Sequence, residues 1–327
     1  MSMDTKYQVL SIVKKKKLLM NKILLTGSRG MVGRNIMENP AVSKWIFLTP
    51  SSDELDLTDV IAVDEYLAVN KPDLVIHAAG YVGGIQANIA NPVTFLEVNT
   101  SIGRNIIMGA YKAGVQSFLN LASTCMYPRE AKNPLTEKMI LTGELEPTNE
   151  GYALAKIIAT RLCEYIQRED KSLNYKTLIP CNLYGRYDKF DPNNSHLVPS
   201  IIHKIHLAKT QKLNQVEIWG DGTARREFMY AGDLADAVLR AVGNIDSLPS
   251  LMNIGLGVDC TINEYYKVVA EVVGWKGKFI HDLTKPVGMK QKLTSISRQT
   301  KWNWKSSTSL ENGVRKTYEY YLERVVE

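Results

Sequence analysis

Tyr152 and Lys156 stand four apart in the segment Tyr152-Ala153-Leu154-Ala155-Lys156, a spacing that puts both side chains on one face of a helix. A neighbouring ammonium favours the phenolate, drawing a phenol whose ordinary pKa is about 10 toward the working pH. A tyrosine tuned in this way donates a proton to a carbonyl oxygen as hydride arrives, and a serine hydroxyl holds that oxygen in place. Ser123, at the end of the apolar run Ser117–Ser123 (SFLNLAS), is the candidate serine. The same Tyr/Lys spacing is common in purely structural helices, so its weight depends on a second pattern. Gly27-Ser28-Arg29-Gly30-Met31-Val32-Gly33 directly follows the apolar run Lys22–Thr26, in the order strand, glycine turn, helix. In that order Gly27 permits the sharp turn, Gly30 lets the backbone approach a pyrophosphate, and Gly33 lets the helix pack closely on the sheet. The spacing GxxGxxG departs from the more common GxGxxG.

Sites specific for NAD place an acidic residue at the end of the second strand, against the ribose 2′-hydroxyl. This chain has Thr49-Pro50-Ser51-Ser52 there, with no carboxylate at the immediate end, while Arg29 is available to a 2′-phosphate. NADP is therefore the expected cofactor. Asp56 is expected either near the adenine or as a helix cap.

These residues need a sheet to hold them. Buried-strand candidates at 22–26, 45–49, 73–79, 117–123 and 176–183 alternate with segments long enough for helices. That alternation predicts an α/β fold, a Rossmann-type doubly wound parallel sheet. From about residue 186 the pattern shifts to short strand candidates at 216–219, 252–256 and 278–282, with helical stretches at 197–207, 232–242, 262–273 and 310–325. The expected organisation is a basic extension over 1–20, a nucleotide-binding core over 21–185 that receives returns from the later chain, and a smaller C-terminal α/β substrate lobe mainly over 186–327.

Composition narrows the class further. The 327 residues are 45% apolar and 23% charged, ordinary globular usage. The net charge of +6 raises the question of a polyanionic partner, but residues 1–20 hold five Lys and one Asp, which leaves +2 for the remaining 307. No nucleic-acid partner is expected. Lys14–Lys17 follow a short apolar stretch rather than precede one, which is unlike a secretory signal. With few apolar residues around them they make a poor membrane-surface helix, and the stretch is read as a dispensable extension. No run of about 18 apolar residues occurs, so no membrane partner is expected. Cys125, Cys163, Cys181 and Cys260 have no CxxC spacing and read as reduced cytoplasmic thiols. His196, His203 and His206 lack the cysteine or carboxylate partners that complete a zinc site, so no metal is expected.

GxxGxxG, Ser123 and Tyr152-x-x-x-Lys156 together resemble the extended short-chain dehydrogenase/reductase family. Val82-Gly83-Gly84-Ile85, Ser123-Thr124-Cys125-Met126-Tyr127-Pro128, Glu146-Pro147-Thr148-Asn149-Glu150, Asn194-Ser195-His196, Arg226-Glu227-Phe228 and Gly257-Val258-Asp259-Cys260-Thr261 carry a closer resemblance to its GDP-L-fucose synthase branch, the GDP-4-keto-6-deoxy-D-mannose 3,5-epimerase-4-reductases. The likeness spans about residues 21–325. It implies C3/C5 epimerisation followed by reduction at C4 of a GDP-linked 4-keto sugar, with NADP(H) as cofactor, in a homodimer built through the 152–168 and 98–113 helices. It implies Ser123, Cys125, Tyr152, Lys156 and His196 as catalytic residues, Cys125 and His196 forming the acid/base pair. Thiol and imidazole both titrate near neutrality, which suits proton transfer at carbon. It also implies a cofactor site of Gly27, Ser28, Arg29, Gly30, Met31, Val32, Gly33, Ser52, Asp56, Leu57, Ala78, Ala79, Gly80, Leu121, Lys156, Pro180, Asn182, Leu183 and His196. The implied substrate site is Ser123, Lys204, Trp219, Arg226 and Lys292.

Two departures fall in the substrate lobe, where the family's Lys-Pro-Asp-Gly reads Lys285-Pro286-Val287-Gly288 and its Arg-Lys-Leu-Leu-Asp reads Gln291-Lys292-Leu293-Thr294-Ser295. The loss of two carboxylates leaves room for another substrate, a GDP-4-keto-heptose reduced with little or no epimerisation. A catalytically silent NADP-binding protein is the remote alternative, against which stand the intact Ser123, Tyr152 and Lys156.

Overall fold

The computed structural model describes residues 22–191, 195–285 and 289–326. The basic stretch 1–20, Asn194 and the departure at Val287 lie outside the described residues.

The first half alternates as its apolar runs predict: β1 (Lys22–Thr26), α1 (Met31–Met37), β2 (Ile46–Leu48), α2 (Val60–Asn70), β3 (Leu74–His77), α3 (Ile85–Ala90), α4 (Pro92–Lys112), β4 (Ser117–Leu121), α5 (Glu150–Glu169) and β5 (Asn174–Pro180). The expected 176–183 strand divides after Pro180, and β6 (Asn182–Tyr184) leaves in another direction to pair with β9 (Phe228–Tyr230). Then follow α6 (Leu197–Thr210), β7 (Gln215–Trp219), β8 (Arg225–Arg226), α7 (Ala231–Gly243), β10 (Leu251–Ile254), β11 (Cys260–Thr261), α8 (Ile262–Val273), β12 (Lys278–Asp282), β13 (Gln291–Lys292), α9 (Ser297–Lys301) and α10 (Leu310–Tyr321).

The central sheet has the order β10-β5-β4-β3-β1-β2, every pair parallel. Its strands read as continuous apolar runs because both faces are covered. Ile23 and Leu25 point to a core shared with Ile36 of α1 and Leu234 and Val238 of α7. Leu24, between them, points to the opposite core with Leu67 of α2, Ile106 of α4 and Ile166 of α5. Alternation of period two is thus hidden inside an unbroken hydrophobic sequence. β10 and α7 come late in the chain yet complete this sheet and its cover. A separate core, with Ile201 and Ile205 of α6, Val269 of α8 and Val314 of α10, underlies the C-terminal lobe. Among the described residues no helix is long and apolar enough to cross a membrane.

Two buried polar hubs fasten the lobe to the sheet. The Glu227 carboxylate accepts from the Leu256 and Gly257 amides at 2.6 and 2.9 Å and from the Thr294 amide and hydroxyl at 2.8 and 2.7 Å. Asn253, on β10, accepts from the Tyr127 hydroxyl at 2.5 Å and donates to the Leu135 and Ser295 carbonyls at 2.9 and 3.1 Å. The short strands β8, β11 and β13 have no apolar signature; this network and their mutual pairing hold them.

Glu227→Gln keeps the shape of the hub but confronts its donors with an amide NH2. A buried donor left without an acceptor costs roughly 1–3 kcal/mol, so the unfolding free energy is expected to fall by that amount, read as a lower denaturant midpoint with the m-value unchanged. An unaltered midpoint would refute the hub's role.

Candidate active site

β1 ends at Thr26, and the chain turns at Gly27 with φ +74°. A Cβ on Gly27 would lie 2.6 Å from the Ala79 amide nitrogen, and one on Gly33 would lie 2.2 Å from the Gly27 carbonyl oxygen. Protein packing itself therefore demands these two glycines. Gly30 differs: it is exposed with φ −78°, and its absent side chain would meet nothing closer than 3.4 Å. The space above Gly30 is free for a ligand. Around this bare turn stand Ser28, buried, exposed Arg29, and half-buried Met31 and Val32.

The remaining expected cofactor residues follow the carboxyl ends of the parallel strands, the edge where doubly wound sheets bind ligands. Ala78, Ala79 and Gly80 continue from β3, Leu121 ends β4, Pro180 ends β5, and Asn182 and Leu183 open β6. The Asn182 amide donates to the Glu227 carbonyl at 3.1 Å, which ties this edge to the C-terminal lobe. Asn99 of α4 grips Tyr81 through both its amide and its carbonyl, at 2.8 and 3.0 Å, and so fixes the segment after Gly80. Beyond β2, Ser52 and Asp56 are exposed and Leu57 is buried. Asp56 does not cap α2; it closes a local turn by accepting from the Thr58 amide and hydroxyl at 2.8 and 2.7 Å, and Asp59 is the cap. Glu54, overlooked in the sequence, folds back to accept from the Ser51 amide at 2.7 Å, and that bond together with the Arg29 charge holds its carboxyl below the ordinary range. The pattern Ser51-x-x-Glu54 is a capping-box signal and gave the means to find it.

Ser123, Cys125, Tyr152 and Lys156 come together where β4 meets α5. Lys156 is only 8% exposed, and its ammonium donates to the Leu121 carbonyl at 3.0 Å while lying 5.7 Å from the Tyr152 ring centroid. Burial brings it down to about 8, with Cys125 acting in the opposite sense. The expectation that Lys156 lowers the Tyr152 phenol is corrected by the structure: burial, with a contribution from Cys125, pushes that phenol well above 10. Helical spacing brought the pair together, but desolvation of the phenol outweighs the ammonium's attraction. The Ser123 Oγ accepts from the Cys125 amide at 3.3 Å, capping the 3₁₀ turn Thr124–Met126, a bond that does not use its hydroxyl hydrogen. Burial raises the Cys125 thiol, opposed by Lys292, the Ser123 hydrogen bond and Lys156. Beneath them, buried His77 bonds the Thr26 hydroxyl at 2.9 Å and is lowered to about 3 by burial and by Lys156, so it is neutral.

His196 is exposed at the head of α6, from which its carbonyl accepts the Ser200 amide. The protein around it and the Lys189 charge hold its imidazole below the ordinary range. His203 and His206 bond the Tyr321 and Tyr318 hydroxyls at 2.8 and 3.1 Å, a structural pairing of α6 with α10.

On the lobe side, Trp219 is 51% exposed, with its indole donating to Glu217 at 3.1 Å and the Lys285 ammonium 5.6 Å from its ring. Lys204 is turned inward: it donates to the Glu217 carbonyl at 3.0 Å and lies over the Tyr266 ring. Arg226 and Lys292 face each other in the β8–β13 register. At the departures from the family pattern, Thr294 is spent on Glu227 and Ser295 Oγ lies 3.1 Å from Ser297 Oγ at the head of α9. Position 295 therefore belongs to the lobe's internal framework.

The NAD dependent epimerase/dehydratase family model matches residues 23–255. Over 301 residues the chain is 54% identical to the GDP-L-colitose synthase of Yersinia pseudotuberculosis, covering 92% of this chain and 98% of that one. It is 50% identical over 301 residues to the GDP-L-fucose synthase of Azorhizobium caulinodans, covering 92% and 96%. The structure of a GDP-D-glycero-L-gluco-heptose synthase from Campylobacter jejuni in the presence of NADPH superimposes with a TM-score of 0.85 at 30% identity, covering 94% and 100%.

The contrast between the two glycines is testable by thermal and denaturant unfolding. Gly30→Ala is expected to change stability by under about 1 kcal/mol, whereas Gly33→Ala, forced against backbone, is expected to cost about 3 kcal/mol. Equal effects would show that Gly30 too is required by packing.

Proposed function

The chain belongs to the NAD dependent epimerase/dehydratase family, and from that premise we propose that it is an NADPH-dependent epimerase/reductase of a GDP-4-keto-6-deoxy sugar, of the fucose/colitose synthase type. The observation that carries this reading is the assembly of Ser123, Cys125, Tyr152 and Lys156 in one desolvated pocket beside the bare glycine turn. The residues present fit a dinucleotide. Gly30 leaves backbone uncovered where a pyrophosphate would lie, and a side chain on Gly80 would come within 3.8 Å of the Lys156 ammonium, so a ribose can reach that charge. Arg29 and the absence of a carboxylate at the end of β2 favour the 2′-phosphate, and the heptose-synthase relative was solved with NADPH. When bound, the reduced nicotinamide supplies the hydride for C4.

The chain's own groups do the rest. Tyr152, held protonated by burial, donates its proton to the C4 oxygen. The Ser123 hydroxyl, its lone pair engaged by the Cys125 amide, donates a hydrogen bond to the same oxygen and orients the ketone. Lys156, anchored on Leu121, positions the cofactor ribose and keeps a positive charge near the oxygen as it becomes an alkoxide. A ketone at C4 acidifies the C–H bonds at C3 and C5. Burial keeps Cys125 a thiol and His196 is lowered toward neutral imidazole, so one group is ready to give a proton and the other to take one. Inversion at carbon requires that complementarity.

A GDP-4-keto-heptose reductase is the second reading, supported by the heptose-synthase relative at 30% identity. The relatives at 54% and 50% identity are named for colitose and fucose, and this favours the deoxyhexose. The test is incubation with NADPH and a panel of GDP-4-keto-6-deoxyhexoses, 3,6-dideoxyhexoses and heptoses in D2O. Turnover of a deoxyhexose with deuterium entry at C5 is expected. Tyr152→Phe should lower the reduction rate by at least about 100-fold with NADPH binding intact, and Cys125→Ser and His196→Ala should suppress the deuterium entry. Reduction without exchange would overturn the epimerase half, and near-normal turnover by Tyr152→Phe would overturn the reductase assignment.

The same reading includes a homodimer through α4 and α5, whose outward faces leave Leu96, Ile158 and Tyr165 exposed. Sedimentation velocity is expected to give a species of twice the chain mass, and a monomer at micromolar concentration would refute it.

A further inference from the structure

Trp219 is the one exposed tryptophan of the five, and the groups around it form a shelf. It ends β7, where Val216 and Ile218 enter the lobe's core, so Glu217 and Trp219 share the opposite face of the strand. The indole Nε1–H donates to Glu217 Oε1 at 3.1 Å, which holds the carboxylate at the rim of the ring. The Lys285 ammonium lies 5.6 Å from the ring centroid. The Lys204 ammonium donates to the Glu217 carbonyl at 3.0 Å and so anchors the strand at that residue. On the neighbouring strand the β7–β12 register sets exposed Ile280 beside Glu217 and Asp282 beside Trp219, and the Gly220 amide closes on the Asp282 carbonyl at 2.8 Å. Glu217 is half-buried, and its Oε2 has no hydrogen-bond or ion-pair partner among the described residues. A partly desolvated carboxylate with one oxygen pinned and the other unused is an acceptor set for a donor from outside the chain.

We propose that Glu217 selects the base of the sugar nucleotide, accepting the N1–H and the 2-amino group of a guanine laid against Trp219. This rests on the GDP-linked reading given above and names the group that enforces it. An exposed flat ring offers a stacking surface to any base, so Trp219 contributes affinity without identity. Identity comes from the rim. Guanine carries two adjacent donors on one edge, and a carboxylate presents two oxygens to them, Oε1 keeping a lone pair beside its bond to the indole. Adenine has a ring-nitrogen lone pair in place of the N1–H, and uracil flanks its single N–H with two carbonyl oxygens. Each of these sets an acceptor against the carboxylate, which disfavours it. Lys285 and Lys204, both cations, offset the repulsion between this carboxylate and a diphosphate. Further along the chain comes β8, and Glu227 after it is tied to Asn182 at the carboxyl edge of the sheet. The shelf therefore lies on the segment that leads to the cofactor edge.

The test measures the binding of GDP, IDP, ADP and UDP to the full chain by titration calorimetry, with NADP+ at saturation so that none of them enters the cofactor site. The parent is expected to bind GDP most tightly and IDP less well, because hypoxanthine lacks the 2-amino donor. Glu217→Gln is expected to weaken GDP by about tenfold or more, as charge-assisted bonds are lost, while ADP and UDP bind as before or more tightly. The GDP-to-ADP and GDP-to-IDP ratios then fall together, and the retained ADP and UDP binding shows an intact fold. Trp219→Ala is expected to weaken all four nucleotides. A parent that prefers GDP, with a Glu217→Gln variant that keeps the same ratios or loses all four nucleotides equally, overturns the role of Glu217 alone. A parent with no preference for GDP overturns the GDP-linked reading and the role of Glu217 with it.

Discussion

The Lys156 ammonium donates to the carbonyl of Leu121 across the junction of α5 and β4, and the geometry of the site depends on that buried bond. A lysine so nearly excluded from water is stable only where its charge is met by a fixed dipole. Meeting it at the last residue of β4 locks the register of α5 against the sheet. Tyr152, one helical turn away, is thereby held against Ser123 and Cys125, two and four residues beyond the same carbonyl. The glycine turn is set relative to this junction by packing, since Gly27 lies against the Ala78–Ala79 backbone and Gly80 lies near Lys156. One hydrogen bond thus fixes Tyr152, Ser123 and the segment at Gly80 relative to one another.

The second constraint is the attachment of the C-terminal lobe. Glu227 and Asn253 are buried polar residues whose partners lie far away in sequence, and both are satisfied at several atoms. Networks of this kind are specific because a shifted lobe would strand their donors. Their consequence for the site is indirect: they fix β8 and β13, and with them the paired Arg226 and Lys292.

Much of the nucleotide-binding core was readable in the residues. β1, β3 and β4 are short apolar runs because both sheet faces are covered, and Gly27 and Gly33 stand where backbone meets backbone. The Tyr152/Lys156 pair was readable because helical periodicity is local. The sign of the phenol's shift was not, since spacing brings two groups together but says nothing of how much water each retains. Of the two readings of Asp56, the helix cap fails because Asp59 holds that place and Asp56 closes its own turn, while Glu54, three residues beyond Ser51, carried an overlooked local signal. β8, β11 and β13, two residues each, escaped because no period exists in two residues; only their partners make them strands.

The sequence by itself determined the class of chemistry: a glycine turn after a strand, a serine at a strand end, and a tyrosine and lysine one turn apart are short-range patterns, and short-range sterics and hydrogen bonding decide them. Tertiary structure alone decided which protonation states those groups hold and which distant charges act on them. Burial of Tyr152, Lys156 and Cys125, and the arrival of Lys292 from more than a hundred residues away, follow from how the lobe closes over the sheet edge. Desolvation and long-range Coulomb interactions depend on the whole packed volume around a group, and no local pattern of residues encodes that volume.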